Sequence, residues 1–284
     1  MRHGFLLIDK PIGFTSHDAV AVVRRNFHER SVGHLGTLDP SATGLLVCAV
    51  GRKALKVIEL FADLRKEYIA EVTLGAVSTT YDRDGVIEAT PPKSGWVLPE
   101  QAAVQRLIHE RFLGKISQVP PAFSAVHVGG ERAYRKARQG RGVNIPPHDV
   151  TVHACDIVAY EYPQLRLRIE CGSGTYIRSL AHDLGHLLFC GGYLSALRRT
   201  KVGEWSIENA VSLESATWTD ILPLKDILTP FPRLDLTADD FENVRYGRFL
   251  EREVEKHTFG WFEDLPVALL EPAGEGTSHA RKVL

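Results

Sequence analysis

The residues whose types and spacing most clearly suggest chemistry lie between Ser31 and Leu46, in the run Ser-Val-Gly-His-Leu-Gly-Thr-Leu-Asp-Pro-Ser-Ala-Thr-Gly-Leu-Leu. Three glycines within twelve residues allow the backbone to adopt uncommon dihedral angles and to approach a ligand closely. Pro40 favours an extended conformation for the preceding Asp39. The segment therefore predicts a loop that presents the Asp39 carboxylate to a ligand. A simple Asp-Pro turn with Asp39 as a helix cap is the alternative that these residues alone leave open.

A second candidate group is the basic stretch 131–141, which holds five cations and one anion. The cations are Arg132, Arg135, Lys136, Arg138 and Arg141. Such a density of Lys and Arg is suited to binding a phosphate backbone. A solvated helix face has the same composition, so both interpretations stay open for the stretch taken alone.

Hydrophobic period and turn residues predict the elements that must position these side chains. An apolar run at 5–8 ends in a turn, and Ser16 then offers an N-cap for a helix over 17–27. Further helices are predicted at 52–61, 101–113 and 176–188, and strands at 67–74, 150–160, 165–171 and within 193–205. Residues 45–50 form another apolar run directly after the Asp39 loop.

Strands outnumber helices in this pattern, and the two do not alternate regularly. We therefore predict an α+β fold with a mixed, mostly antiparallel central sheet flanked by helices, not a doubly wound parallel sheet. Residues 115–148 are rich in Gly and Pro and form a loop-rich excursion around the basic stretch. Residues 223–233 contain three prolines and are predicted to link residues 1–230 to a last piece, 231–284, which is small for an independent core.

Composition excludes several classes of protein. The chain has 284 residues, 44% of them hydrophobic, and a formal net charge of −1, which is ordinary for a globular protein and not for a disordered chain or a coiled coil. The four cysteines form no CxxC pair and have no His at zinc-ligand spacing, so reduced thiols in or near the core are expected, without a metal site. The first apolar run is too short for a signal peptide or a membrane span. These features predict a soluble, cytoplasmic protein that makes no contact with a membrane.

Five motifs along residues 4–205 resemble, in the same order, those of the TruB-type tRNA pseudouridine synthases. Residues 34–46 are similar to the family's catalytic pattern His-x-Gly-x-Leu-Asp-Pro-x-Ala-x-Gly-x-Leu. The other motifs are Lys10-Pro-Ile-Gly-Phe-Thr-Ser16, Lys66-Glu-Tyr68 with Leu74-Gly75, Gln118-Val-Pro-Pro-Ala-Phe-Ser-Ala125 with Ala137-Arg-Gln-Gly140, and Cys171-Gly-Ser-Gly-Thr-Tyr-Ile-Arg178 with Asp183-Leu-Gly185 and Leu197-Arg-Arg199. The order and number of these matches make chance agreement negligible.

The resemblance implies isomerisation of uridine 55 in the T-arm loop of tRNA to pseudouridine, in a pseudouridine synthase fold. It implies no cofactor and no metal, because bonds are exchanged within one nucleotide. Asp39 would be the essential carboxylate, attacking the sugar, attacking the base or acting on the sugar as a base; the sequence leaves these three possibilities open. Arg178 would pair with Asp39 and lower the pKa of its carboxyl.

The same resemblance implies functions for further residues around the target base. Tyr68 would stack on the uracil, with its hydroxyl placed to help remove the C5 proton. The base must leave its stack to be reached, and His34 would fill the space left behind. Tyr176 and Leu197 would be pocket walls, and Lys10 would support the catalytic loop from behind. The resemblance groups these three residues with His34 as RNA-binding residues. Without the resemblance, each of these residues would more simply be a packing, turn or surface residue.

The excursion 115–148 resembles the family's RNA-gripping insertion, so its cations are expected to hold the T-arm backbone, with strong salt dependence. The last piece resembles a short PUA-like RNA-binding domain through Val244-Arg-Tyr-Gly-Arg-Phe-Leu250 and Ala280-Arg-Lys-Val-Leu284. It has only about fifty residues, with seven basic and eleven acidic side chains, so we expect a shortened or degenerate version of that domain.

Three alternatives stay open. A guide-RNA-dependent synthase shares the Asp39 motif, but the Gln118-Val-Pro-Pro segment and the lack of basic extensions favour a stand-alone monomer that binds tRNA without an obligatory protein partner. A glycoside hydrolase needs two carboxylates ~5–10 Å apart, and no second acidic residue stands out beside Asp39. A noncatalytic module that binds or folds tRNA is the third alternative.

Overall fold

The computed structural model describes residues 3–91, 94–124, 126–128 and 130–284. The α-helices are α1 (Ser16–Asn26), α2 (Arg52–Val57), α3 (Gln101–Phe112), α4 (Ala133–Arg138), α5 (Ile177–Leu187), α6 (Leu224–Ile227) and α7 (Ala238–Arg245), with short 3₁₀ turns at Ile58–Phe61, Ile207–Asn209 and Trp218–Asp220. The strands are β1 (Gly4–Lys10), β2 (Val32–Leu35), β3 (Thr43–Val50), β4 (Lys66–Leu74), β5 (Ala76–Ser78), β6 (Ile87–Ala89), β7 (Gly114–Gln118), β8 (His127–Val128), β9 (Glu131–Arg132), β10 (His148–Glu161), β11 (Gln164–Cys171), β12 (Gly192–Val202), β13 (Trp205–Ser206), β14 (Val211–Ser212), β15 (Ile221–Pro223), β16 (Arg233–Asp235), β17 (Thr258–Phe262), β18 (Leu265–Gly274) and β19 (Thr277–Val283).

One large mixed sheet carries the main body of the chain. Its order is β14-β1-β3-β12-β4-β11-β10-β7, with β2 beside β3, β13 beside β12 and β15 beside β1. The β3–β12 and β1–β14 pairs are parallel, and the other pairs are antiparallel. The prediction of a mixed, mostly antiparallel α+β sheet with a small β-rich C-terminal piece is confirmed.

The sheet is buried on both faces because its inner strands are apolar at successive positions. Along β1, Leu6 and Ile8 join one core cluster with side chains of α1, α3 and α5, whereas Phe5 and Leu7 join a second cluster with α2 and α6. β3 is buried at every position from Gly44 to Val50. The loop that precedes β3 is therefore anchored to the rigid centre of the fold.

Helix α1 begins one residue earlier than predicted and is capped by Thr15, not Ser16. The Thr15 side chain accepts from the backbone N–H of Asp18, and the Asp18 carboxylate accepts from the backbone N–H of Thr15, which is a complete capping box. Ser16 is fully buried, and its hydroxyl oxygen accepts from Leu38 N at 2.8 Å. Ser16 therefore ties the helix to the Asp39 loop instead of capping the helix.

The predicted excursion begins later than residue 115. Residues 114–118 form β7, which pairs with the start of β10 at the sheet edge, so the chain leaves the sheet only after Gln118. The basic stretch includes β9 and the six-residue α4, and its strand β9 pairs with β8. Ala125 and Gly129, which belong to the predicted insertion, lie outside the described residues.

The predicted linker 223–233 is partly ordered structure. α6 lies within it, and Leu224 and Ile227 are buried in the second core cluster. β16–β19 then form a separate four-stranded sheet, but Phe259 and Leu269 of that sheet join the same second cluster. The division of the chain at residue 230 stays a prediction, because the two sheets share this apolar core.

A small cluster of its own packs inside the C-terminal piece, around Val244, Leu250 and Leu270. All four cysteines are buried and free, as the sequence predicted. Within the described ranges, no helix has both the length and the apolar character needed to span a membrane.

Candidate active site

The Asp39 loop connects β2 to β3 and is held at several points. Leu38 is buried, and its backbone N–H donates to Ser16. Gly13 N donates to Pro40 O at 2.8 Å, which ties the loop to the β1–α1 turn. Because a strand follows the loop, Asp39 caps no helix and the alternative of an Asp-Pro helix cap is wrong. The loop presents the Asp39 carboxylate, as the sequence predicted.

Arg178 stands opposite Asp39 at the start of α5. Its Nε lies 3.1 Å from Asp39 Oδ2, and 7% of its side chain is exposed against 41% for Asp39. The same guanidinium donates to Thr80 O at 3.3 Å and to Phe123 O at 3.1 Å. Arg178 is thus fixed on all sides, and it holds Asp39 in one orientation at the floor of an open cleft.

A second carboxylate, Asp82, shares the Arg178 guanidinium. Arg178 Nη1 lies 3.3 Å from Asp82 Oδ2, and the Asp82 side chain is 8% exposed. The prediction that no second acidic residue stands beside Asp39 is therefore wrong. The Asp82-Arg-Asp-Gly85 turn was visible in the sequence, but its polar composition is that of a solvent-exposed turn, and burial of Asp82 arises only where the turn packs on α5.

The pKa of the Asp39 carboxyl is raised above its usual value, which corrects the predicted lowering. The largest cause is burial: the cleft walls displace much of the water around the carboxylate. Arg178 acts in the opposite direction and lowers the pKa, whereas the nearby charges of Asp82 and Asp84 raise it. The guanidinium thus offsets only part of the cost of holding a negative charge in this position.

The cleft above Asp39 has mixed polar and apolar walls. It is lined by Ser41, Ala42, Asp82, Arg83, Arg178, Leu194, Ser195, Ala196 and Leu197. Leu197 is one of these lining residues, and its function as a wall of a base pocket stays a prediction. Ser195 uses its hydroxyl to donate to Glu71 O at 3.0 Å, which orders that part of β12.

Tyr68 of β4 is 9% exposed and lies close enough to Asp39 and Arg199 for their charges to affect it. Burial raises the pKa of its phenol most, and the Arg199 side chain opposes this by its charge and by a hydrogen bond. A raised pKa keeps the phenol protonated at neutral pH.

Arg199 is a site residue whose position the sequence did not predict. It is 1% exposed, and its Nε donates to Leu45 O at 2.7 Å while Nη2 donates to Gly36 O at 3.1 Å. These bonds join β12 to both ends of the Asp39 loop. The Leu197-Arg-Arg199 motif was the only available signal.

Lys10 is fully buried, so the prediction that it contacts RNA is wrong. Its contacts agree with the other predicted function, support of the Asp39 loop. Its Nζ donates to Pro11 O at 2.9 Å and Phe14 O at 2.6 Å. Burial lowers the pKa of Lys10 to about 8, against the opposing charge of Asp39. At neutral pH, Lys10 therefore remains largely protonated and fixes the turn that contacts Pro40.

His34 lies on β2 with its ring 5.4 Å from the ring of His17, in an edge-to-face arrangement. Burial, followed by the charges of His17 and Arg199, lowers the pKa of His34 to about 4. Its Nδ1 is buried and accepts or donates no hydrogen bond to the described part of the chain. His34 is thus a neutral, partly accessible ring near the Asp39 loop.

Tyr176 precedes α5 and is joined to β7 by two hydrogen bonds. Its backbone N–H donates to Gln118 Oε1 at 2.8 Å, and Gln118 Nε2 donates to its carbonyl at 3.0 Å. Burial raises the pKa of the Tyr176 phenol, and a hydrogen bond with Ser124 opposes that effect. Gln118 thereby links the end of β7, where the insertion begins, to α5, the helix that carries Arg178.

The basic residues of the insertion divide into two groups. Arg132 and Arg135 interact with the phenol of Tyr134, which is half-buried, and Arg138 lies 5.6 Å from the Tyr134 ring centre. Lys136 donates to Val128 O at 2.6 Å, and Arg141 pairs with Glu131 at 2.7 Å. The first group surrounds an aromatic ring at the surface, whereas the second stabilises the insertion itself.

No group of three or more His, Cys, Asp or Glu side chains that could hold a metal ion is found among the described residues. The site offers two carboxylates, Asp39 and Asp82, together with the guanidinium groups of Arg178 and Arg199 and protonated phenols.

Comparison with known proteins identifies relatives along most of the chain. Residues 24–177 match the family model described as TruB family pseudouridylate synthase, N terminal domain. Residues 178–231 match the model described as tRNA pseudouridylate synthase B C-terminal domain. The first match alone covers more than half of the chain.

Curated proteins named tRNA pseudouridine synthase B are similar over nearly their full length. The protein of Mycobacterium bovis (strain BCG / Pasteur 1173P2) is 42% identical over 255 residues, which is 87% of this chain and 84% of that relative. The Dehalococcoides mccartyi protein is 38% identical over 292 residues, or 99% and 96% of the two chains.

Solved structures share the fold. A chain from an H/ACA RNP bound to a substrate RNA containing 2′-deoxyuridine has a TM-score of 0.70 at 22% identity, covering 99% of this chain and 84% of that one. A chain from an archaeal box H/ACA sRNP complex also has a TM-score of 0.70, at 21% identity, covering 100% and 85%. At these identities the likeness establishes the fold alone.

Proposed function

We infer the function from the relatives of the chain together with the geometry of its site. The chain belongs to the TruB family of pseudouridylate synthases, and it is an isomerase that converts a uridine of tRNA to pseudouridine. We propose that the target is uridine 55 in the T-arm loop and that Asp39 is the essential carboxylate. The observation that carries this proposal is the Asp39–Arg178 pair, at 3.1 Å, on the floor of an open cleft.

The reaction needs only a small set of groups. The bond between N1 and C1′ breaks, a bond between C5 and C1′ forms, the C5 proton leaves, and N1 gains a proton. No electron acceptor is required, because the product nucleotide is an isomer of the substrate nucleotide. An ionised carboxylate assists in each of the three ways open to Asp39, and Arg178 favours that ionised form.

The cleft supports entry of a flipped base. A uracil in a loop must leave its stack at a cost of a few kcal/mol. In this proposal Leu197 forms an apolar wall, and Tyr68 lies under the base with a protonated hydroxyl. His34, neutral at physiological pH, fills the vacated position in the RNA loop.

The insertion supports a grip on the RNA backbone. Arg132, Arg135 and Arg138 are exposed and lie around the half-buried Tyr134, so part of an aromatic ring and three cations are offered together. This combination suits unpaired or splayed nucleotides, because arginine binds phosphate and the ring can stack on a base. Lys136 and Arg141 would assist by holding the insertion in shape.

We further propose that the chain acts as a monomer in the cytoplasm, without a guide RNA and without an obligatory protein partner. The relatives at 38–42% identity are named as tRNA enzymes, whereas the chains from H/ACA assemblies are 21–22% identical. The acidic balance of residues 231–284 supports a limited contribution of that piece to RNA binding.

Tritium release tests this function. An unmodified tRNA transcript labelled at C5 of uridine is incubated with the chain alone, and the modified nucleotide is then mapped. We expect one equivalent of tritium per tRNA, loss of release when uridine 55 is replaced by cytidine, and no release with Asp39→Asn. Release that begins only when a guide RNA is added would contradict the stand-alone function.

A further inference from the structure

We propose that Arg83 is a phosphate-binding residue of the cleft that grips the RNA backbone at the flipped nucleotide. This inference rests on the proposed function and adds to it a residue outside the motifs on which that function was predicted. Arg83 lies directly after Asp82 and lines the same cleft as Asp39 and Leu197.

Carboxylates outnumber unpaired cations on the cleft floor. Asp39 and Asp82 share Arg178, so the positive charge on the cleft floor is already paired. Asp84 adds a further negative charge that reaches Asp39. A polyanion that enters this cleft therefore meets a surplus of carboxylates, unless a cation at its wall compensates for them.

The Arg83 guanidinium is available to bind a phosphate. The Arg83 side chain is exposed and forms no ion pair or hydrogen bond with any residue of the described ranges. Its guanidinium can therefore bind a phosphate with two parallel hydrogen bonds without first breaking another contact. Lys136 and Arg141 of the insertion differ in this respect, because both are already engaged.

The turn that carries Arg83 is rigid. Leu194 N donates to Tyr81 O at 2.9 Å, and Asp84 N donates to Asp82 Oδ1 at 3.1 Å. The Tyr81 ring stacks on His182 of α5 at 3.9 Å with a 12° angle between planes. Because the backbone on both sides of Arg83 is held, binding a phosphate would order only the arginine side chain.

The position relative to the chemistry is also suitable. Every nucleotide carries a phosphate on each side of its ribose, so a uridine whose base reaches Asp39 brings those phosphates to the cleft mouth. Arg178 is buried and cannot meet them. Arg83 is the exposed cation at the cleft wall, as far as the described residues show.

Binding and turnover measured separately test the inference. The dissociation constant for a T-arm stem-loop RNA is measured in the full-length Asp39→Asn chain, with and without Arg83→Ala, at about 0.1 M salt. We expect Arg83→Ala to weaken binding about 5- to 10-fold and to reduce the salt slope by about 0.7, which corresponds to one lost phosphate contact on a single strand. Arg83→Lys should retain most of the affinity.

The matched control is Arg106→Ala, which removes an exposed arginine of α3 that does not line the cleft. Equal affinities for Arg83→Ala and Arg106→Ala would overturn the inference.

In the chain that retains Asp39, the single-turnover rate at saturating RNA should stay within twofold for Arg83→Ala. A lower saturating rate with unchanged affinity would also overturn it, since Arg83 would then act through Asp82. If the wild-type chain released no tritium, the proposed function would fail, while the ratio of dissociation constants would still decide on Arg83.

Discussion

Asp39 is held in a balance of opposing influences. Burial and the neighbouring carboxylates of Asp82 and Asp84 raise the pKa of its carboxyl, and Arg178 lowers it. Every chemical possibility for Asp39 requires the ionised form. The rate should therefore rise with pH through the pKa of Asp39. This rising part of the pH–rate profile, its acidic limb, should lie at a higher pH than the usual pKa of an aspartate.

The acidic limb should move to lower pH in Asp82→Asn. The negative charge of Asp82 raises the pKa of Asp39, so its neutralisation lets Asp39 ionise at a lower pH, even if the rate plateau falls because Arg178 loses a partner. Single-turnover rates between about pH 4 and 8 measure this limb. Asp226→Asn, an exposed carboxylate of α6, should leave it in place. An unchanged or higher limb in Asp82→Asn would contradict the assigned coupling.

The sequence predicted the Asp39–Arg178 pair through motif resemblance, but it did not predict what surrounds the pair. Asp82 stands in a polar turn, and no local pattern shows that this turn packs on a helix about a hundred residues later. Arg199 and Lys10 are buried cations, which composition alone assigns to the surface. Each is buried because backbone carbonyls of the Asp39 loop or the neighbouring turn satisfy it.

The turn between β5 and β6 positions Asp82, and Tyr81 holds that turn at an uncommon backbone angle. Tyr81 has φ of +64°, in the region that favours glycine. Its ring is stacked on His182, four residues after Arg178 on α5. The stack thus fixes the distance between Asp82 and the guanidinium that it shares with Asp39.

Loss of the Tyr81 ring should slow the chemical step. Tyr81→Ala removes an aromatic pair worth about 0.5–1.5 kcal/mol, so we expect the saturating single-turnover rate to fall about 2- to 10-fold with little change in RNA affinity. Tyr81→Phe keeps the ring and should stay within twofold. A fall in affinity with an unchanged saturating rate would show that the turn serves binding instead.

Gly44 is the second residue of β3, close to the Asp39 loop, and its backbone leaves no space for a side chain. Its φ is +102°, and a Cβ would lie 2.3 Å from Arg199 O. Gly44→Ala should therefore lower the free energy of unfolding by more than the ~1–2 kcal/mol expected for the backbone angle alone. Gly13→Ala is the control, because Gly13 has φ of +85° and nothing within 4 Å of the added carbon. Equal losses in denaturant unfolding would mean that β12 adjusts to the added carbon.

Element prediction succeeded where a periodic run was long and failed at its boundaries. The predicted helices at 101–113 and 176–188 lie within a residue or so of α3 and α5. The N-cap moved from Ser16 to Thr15 because Ser16 is needed for a distant backbone bond to Leu38. The insertion boundary moved because residues 115–118 add an edge strand to β10, a pairing that no local signal contains.

The C-terminal sheet shares a core with the body of the molecule. Phe259 is fully buried in the cluster that contains Phe5 and Phe61, and the ring of Phe231 lies 5.4 Å from it. Across the same boundary, Glu59 pairs with Arg281 and Lys282. The two sheets should therefore unfold together.

Phe259→Ala should lower the free energy of unfolding by about 3–5 kcal/mol, as expected for deletion of a buried ring, within a single transition. The control is Phe249→Ala, in the same piece but 66% exposed, which should change stability by less than about 0.5 kcal/mol. Fluorescence and circular dichroism should give one midpoint for each variant. Separate transitions would contradict the shared core.

The overall class of fold was predictable because strand and helix patterns are local properties of the sequence. The order of strands was not: β12 lies parallel to β3 although about 150 residues separate their paired positions. That pairing places Leu197, Arg198 and Arg199 beside the Asp39 loop. The active site is thus formed by long-range pairing, which motif resemblance indicates only through the family.

We propose that this chain alone uses Asp39 to isomerise a T-arm uridine. The most direct test is tritium release from a C5-labelled T-arm stem-loop RNA by the isolated chain, with Asp39→Asn as the matched variant. The raised pKa of Asp39 means that its charge disfavours the folded state at neutral pH, so Asp39→Asn should unfold at no lower temperature than the wild type. We expect the wild type to release one equivalent of tritium per RNA and the folded variant to release none. Release by both proteins, or by neither while the RNA is bound, would contradict it.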